Sequence, residues 1–112
     1  MYVTIIFPKG SDNVTVASRL YQWDYGQQLR IEASDLPPIV EVHFATEDME
    51  EVIARVCEIV NGVGTVSIPD KCFEQPGTVR IWIVEVGETS GRTLKSAKIR
   101  ITSRARPKPS TP

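Results

Sequence analysis

His43 is the sole histidine, so any Ser/His/Asp or Cys/His nucleophilic site has to be built around it. It stands two residues from Glu41 on the polar side of an alternating run, with no motif around it. A hydrogen-bonded strand histidine accounts for it better than a general base does. One histidine and two cysteines, Cys57 and Cys72, do not make a structural zinc set, which needs four closely spaced ligands. The two cysteines allow a cross-sheet pair or two buried thiols; in a chain made in a reducing cytoplasm the thiols are the better reading. Glu47, Asp48, Glu50 and Glu51 crowd enough carboxylate for calcium. They lack the spaced oxygen ligands and turn glycine of a loop site, so a solvated turn is expected. Gly62-Val63-Gly64 lacks the lysine and helix start of a phosphate loop. Asn13-Val14-Thr15 fits a glycosylation triplet, which means little without a secretory leader. No catalytic residue, cofactor or metal is expected, and the chain is read as non-enzymatic.

Two features point to binding. Tyr21, Trp23 and Tyr25, with Asp24 among them, bring aromatic rings together over five residues. Such rings either stack on a sugar or partner, or close one end of a β-sandwich; the second is the commoner use. The other feature is charge. Residues 1–90 hold all 14 acidic groups and six basic ones, while residues 91–112 hold seven basic groups and no acid. A basic cluster of this kind makes phosphate contacts in nucleic-acid-binding arms. This one carries no aromatic for base stacking and no recognised binding motif, so nucleic acid is not the expected partner. A basic last strand lying on or near an acidic body is the simpler account.

The elements that must position these groups read as strands. Gln28 to Ala33 alternates, with Leu29, Ile31 and Ala33 on one side. Ile39 to Phe44 alternates too: Val40, Val42 and Phe44 share the inner face, Glu41 and His43 the outer. Tyr2–Phe7, Val14–Trp23 and Val79–Val86 are rich in β-branched and aromatic residues, and Lys98–Thr102 points Ile99 and Ile101 inward. Turn residues separate these runs at 8–13, 24–26, 35–38, 61–62 and 87–91. Short strands with breakers at such spacing predict an antiparallel sandwich or barrel. Residues 47–60 conflict: Met49, Val52, Ile53, Val56 and Val60 have helical spacing, yet the β-branched content and flanking strands favour a strand. The strand is chosen, with Val52, Ala54, Val56 and Val60 lining one face. A short helical turn is expected at Pro69–Phe73, where proline suits a first helical position.

At 112 residues and 41% hydrophobic, the chain suits one domain with one core. No apolar run approaches the roughly 20 residues of a membrane span, so no membrane partner is expected. Met1–Phe7 lacks a basic start and is cut short by Pro8-Lys9-Gly10, so no signal peptide is read there. Residues 103–112 carry three prolines and no large apolar side chain. They are read as a flexible basic tail or linker after a sandwich domain of residues 1–102.

One longer pattern goes further. Tyr21-Gln22-Trp23-Asp24-Tyr25-Gly26-Gln27-Gln28-Leu29, followed by Asp35-Leu36-Pro37-Pro38 and Glu41-Val42-His43-Phe44, resembles the opening domain of phage and prophage structural proteins of Gram-positive bacteria. That group has a similar QWD-x-GQ-x-L … LDLP … EVHF pattern. Its V-x-IPD segment is matched by Val66-Ser67-Ile68-Pro69-Asp70, and its basic, proline-rich exit by Arg106-Pro107-Lys108-Pro109. Ala33-Ser34 stands where a glycine-leucine is common in the group. The resemblance runs from about Val14 onward and extends to the N-terminal domains of baseplate upper proteins.

What it implies is an antiparallel immunoglobulin-like β-sandwich of about seven or eight strands, acting as a tail, baseplate or fibre component of a virion. The implied partners are other phage structural proteins and copies of this chain. Longer relatives continue past the exit, whereas this sequence stops at Pro112, so host recognition is not expected of these residues. The alternative carried forward is a carbohydrate- or surface-binding module that uses Tyr21, Trp23 and Tyr25 as its platform.

Overall fold

The computed structural model describes residues 2–107, with the backbone alone described for residues 17–19. Eight strands lie among the described residues: β1 Tyr2–Ile6, β2 Asn13–Tyr21, β3 Gln28–Glu32, β4 Ile39–Ala45, β5 Ile53–Glu58, β6 Val63–Ser67, β7 Gly77–Val86 and β8 Gly91–Thr102. A 3-10 turn at Asp70–Phe73, entered from Pro69, is the one helical element among them. It falls where the proline predicted it. No helix is long and apolar enough to cross a membrane.

The strands form a β-sandwich of two sheets, ordered β1-β3-β6 and β2-β8-β7-β4-β5. Short apolar rows from each sheet meet in the middle. Leu29 and Ile31 of β3 face Val40, Val42 and Phe44 of β4, Val79, Ile81 and Ile83 of β7, and Ala97, Ile99 and Ile101 of β8; all are buried in one contiguous core. Each of the Val, Leu, Ile and Phe side chains contributes about 1.5–3 kcal/mol by leaving water, which is why period-two alternation and inward facing coincide.

Two pairings depart from the antiparallel expectation. β1 runs parallel to β3, and β2 runs parallel to β8. The sheets are therefore mixed. Alternation reports which face a strand buries and carries no information on its neighbour's direction. Parallel pairing is possible here because the partners are far apart in sequence and the chain crosses between the sheets after β1.

Residues 53–58 are a strand, as chosen, but the buried face is the opposite one. Cys57, and Ile59 just beyond the strand, turn inward, whereas Val52, Val56 and Val60 are 42%, 69% and 63% exposed. β5 is an edge strand, so its outer face has no covering layer and apolar residues there stay wet. The strand enters β6 through a tight turn with positive φ at both Asn61 (52°) and Gly62 (76°), as a two-residue hairpin turn requires. Gly64 permits the close approach of β5: a Cβ there would lie 2.6 Å from Ile59 Cδ1 and 2.7 Å from Cys57 Sγ.

One end of the sandwich gathers the β1–β2, β3–β4, β5–β6 and β7–β8 connections. There the inner row of β8 ends in a lysine. Lys95 follows the alternation of Ala97, Ile99 and Ile101 into the interior and is 3% exposed. Its ammonium donates to Asp12 Oδ1 at 2.9 Å and reaches Asp35 at 3.2 Å, tying two loops to β8, and lies 5.4 Å from the centre of the Phe7 ring. Burial pulls the Lys95 pKa down, and the hydrogen bonds and charges of Asp12 and Asp35 outweigh it, holding the group above its ordinary value of 10.5. A raised lysine pKa stabilises the fold fully below 10.5, and the contribution is lost as pH rises through the higher folded value. The double variant Asp12→Asn/Asp35→Asn, which removes both counter-charges of the ammonium, is expected to lose about 1–2 kcal/mol in urea unfolding at pH 8, a modest figure because both carboxylates are 64% exposed. The gap to the unaltered chain should narrow in the same titration at pH values above the ordinary lysine value. An undiminished gap there would assign the loss to packing.

Candidate functional site

The opposite end gathers the β2–β3, β4–β5 and β6–β7 connections and the exit from β8. The predicted aromatic segment lies here, and backbone hydrogen bonds hold it from three sides. Gln22 N donates to Thr102 O at 2.8 Å, and Trp23 N donates to Phe73 O at 2.8 Å. Gly26 N donates to Asp70 Oδ1 at 3.1 Å, linking the segment to the 3-10 turn. Asp24 closes the turn on itself: its Oδ2 accepts from Tyr21 N at 3.0 Å while its own N–H donates to Tyr21 O at 3.1 Å. That is the turn-forming use of aspartate, a short acceptor placed over nearby backbone donors. Trp23 itself adopts φ 73°, a left-handed conformation uncommon for a large side chain and sustained by these surrounding bonds.

The exit from β8 returns over the segment. Arg104 Nε donates to Gln22 O at 2.9 Å, and Gln22 Nε2 donates to Glu74 O at 2.9 Å. The Arg106 guanidinium lies 4.8 Å from the centre of the Trp23 ring. A basic group from the tail therefore covers an aromatic face that sequence reasoning offered to a ligand. Tyr21 and Tyr25 remain exposed, at 38% and 79%. The structure thus brings Tyr21, Trp23, Asp24 and Tyr25 into one corner, with Trp23 against Arg106 and Tyr25 at the tip. Residues 108–112, where the expected flexible tail continues, lie outside the described residues.

The remaining candidates fall elsewhere. His43 Nε2 is 3.0 Å from Glu41 Oε1 on the outer face of β4, both half-buried. Beside them in register stand Trp82 and Ala54 for His43, and Val84 and Val56 for Glu41, none of which is a nucleophile. Cys57 and Cys72 are free and buried. Burial, then the Glu58 charge, pushes the Cys57 thiol up; burial pushes Cys72 up to about 11, partly opposed by Arg55. Both are neutral thiols near pH 7, unsuited to nucleophilic attack. Glu47, Asp48, Glu50 and Glu51 lie exposed on the β4–β5 loop, where Thr46 donates to Asp48. Among the described residues no group of three or more His, Cys, Asp and Glu side chains is placed to hold a metal ion.

Sequence reasoning missed two things. The Lys95 triad, beside an open cleft of about 360 Å³ lined also by Leu36 and Arg92, was signalled by the inward row 97, 99, 101 extended one step back. The Arg106–Trp23 contact had no local signal, since the residues are distant in sequence.

The sequence matches no known protein family and no curated protein. Among solved structures it is similar to the N-terminal domain of phage TP901-1 ORF48, with a TM-score of 0.51. The likeness covers 94% of this chain and 100% of that one at 8% identity. At that identity the likeness shows the fold.

Two variants separate the parts of this corner. Arg106→Ala is expected to expose Trp23 to iodide quenching while costing under about 1 kcal/mol, the scale of one surface cation–π contact. Asp24→Ala should cost about 1 kcal/mol in urea unfolding, through the lost hydrogen bond from Tyr21 N to the carboxylate. Equal quenching before and after Arg106→Ala would show that the arginine does not cover the ring in solution.

Proposed function

We propose that this chain is a non-enzymatic phage structural protein, associated with the tail, baseplate or fibre, that works by docking to other structural proteins and to copies of itself. The observation that carries the reading is the likeness of the whole sandwich to the N-terminal domain of phage TP901-1 ORF48, end to end along that domain. The sequence pattern from Tyr21 to Phe44 points the same way on independent residues. The physical form suits the role. A sandwich with its core closed between two sheets leaves its edges, outer faces and end loops free for assembly. Complementary charge on such surfaces steers docking and makes it salt-sensitive. On this reading the chain is made in the bacterial cytoplasm and ends in the virion.

A carbohydrate- or surface-binding module is the second reading, favoured by one observation: Tyr25 and Tyr21, on the same turn, stand 79% and 38% exposed. Exposed rings of this kind stack on sugars as well as on proteins.

Mass spectrometry of purified particles, after induction of a prophage carrying the gene, tests the first reading. The chain is expected in the particles at a fixed ratio to other structural proteins. Its presence in the lysate together with absence from intact particles would sink the structural role. Trp23→Ala then separates the two readings: lost assembly with the fold kept supports docking, and lost glycan binding with the fold kept supports the module.

A further inference from the structure

The outer face of the five-stranded sheet carries an unusual charge arrangement. Register pairs Arg80 of β7 directly with Lys98 of β8, and Thr78 with Arg100 one step along the same face. All three cations are exposed, and among the described residues none has a carboxylate within ion-pair distance, whereas Arg30, Arg92 and Lys95 do. Like charges directly opposite on neighbouring strands destabilise a sheet. Beside this row Trp82 is half-buried, Val84 is buried yet lies outside the sandwich core, and Val56 is 69% exposed, with the Glu41–His43 pair of β4 standing among them.

The counter-charge lies on the same sheet. The acidic loop leaves β4 immediately after Ala45, and Ala45 is the register partner of Arg80. Glu47, Asp48, Glu50 and Glu51 are all exposed, and among the described residues none forms an ion pair, although Lys71 lines the same cleft as Asp48, Glu50 and Glu51. One molecule thus presents bases without ion-pair partners on β7 and β8 and acids without ion-pair partners on the adjoining β4–β5 loop, at the same end of the sandwich. A surface carrying both halves of a complementary pair is self-complementary about a two-fold axis, because each copy gives and receives the same contact.

We propose that this outer face binds a second copy of the chain. The acidic loop of each copy sits on Arg80, Lys98 and Arg100 of the other, about an axis that runs along the strands between β7 and β4. That axis sets Trp82 of each copy against His43 of the other and shields both rings from water. It also relieves the Arg80–Lys98 repulsion. The proposal deepens the assembly reading above by naming a surface, and it rests on that reading only for its setting in a virion.

Sedimentation equilibrium of the full chain, at concentrations up to about 0.5 mM, tests it. The expected result is a monomer–dimer equilibrium that weakens at least about tenfold between about 50 mM and about 500 mM salt. Lys98→Glu/Arg100→Glu and Glu50→Lys/Glu51→Lys are each expected to weaken self-association at least about tenfold. Mixed together, the two variants should form a heterodimer, since both loop-to-face contacts then pair opposite charges. The altered side chains are exposed, and thermal unfolding by circular dichroism confirms that each variant folds. A monomer at every concentration, an association indifferent to the reversals, or no heterodimer on mixing overturns the proposal. So does binding of a short DNA duplex through the same cations by a chain that stays monomeric, which assigns the face to nucleic acid. Detection of the chain in purified particles stands apart from all of these outcomes, so failure of the dimer and failure of the virion reading are distinguishable.

Discussion

The structure depends on the burial of two apolar faces against each other. Strands are short, and none has a stable existence alone, because a strand's hydrogen-bonding groups and its apolar row need neighbours. Leu29 and Ile31 from the small sheet, with Phe44, Ile81, Ile83 and Ile99 from the large one, supply the common interior. Everything with binding potential is held outside this layer. Outer faces, edges and the two sets of end loops are free to vary in charge and shape without disturbing it. That division explains a chain whose core is conventional and whose surface is electrostatically lopsided.

The two ends of the sandwich are closed by different physics. At one end the inner row of β8 finishes in Lys95, and a buried ammonium requires counter-charges close by; Asp12 and Asp35 supply them from separate loops. At the other end closure is by hydrogen bonds from backbone N–H groups: Trp23 to Phe73 O, Gln22 to Thr102 O and Gly26 to the Asp70 carboxylate. The second mode leaves side chains free, so Tyr21 and Tyr25 project to solvent. It also lets the chain leaving β8 fold back, where Arg104 and Arg106 engage Gln22 and Trp23. The acidic body and basic exit meet through specific contacts at both ends, not through a general attraction.

Arg80, Lys98 and Arg100 share one outer face, and among the described residues none has an ion-pair partner. Surface ion pairs are worth little individually, so their absence at Arg80, Lys98 and Arg100 has small consequences for stability. On the proposed dimer its consequence is for association: a row of bases with a loop of acids at the same end complements the same pattern on a second copy.

The alternating runs were legible by themselves. Strict period two at 28–33, 39–44 and 98–102 determined both the strands and their inward faces, because a pleated chain can bury only every second side chain. Proline before the 3-10 turn and Asn61-Gly62 before β6 were legible for the same local reason, a restricted or permissive φ. Residues 53–58 were legible as a strand by β-branching, but not their buried face, which depends on β5 lying at an edge with little above it. Tertiary structure alone decided the parallel pairing of β1 with β3 and of β2 with β8, since side-chain alternation is the same in either direction. It alone placed Arg106 on Trp23, and Lys95 between Asp12 and Asp35. Those contacts join residues 83, 60 and 83 positions apart in the chain, and local propensity has no reach over such distances.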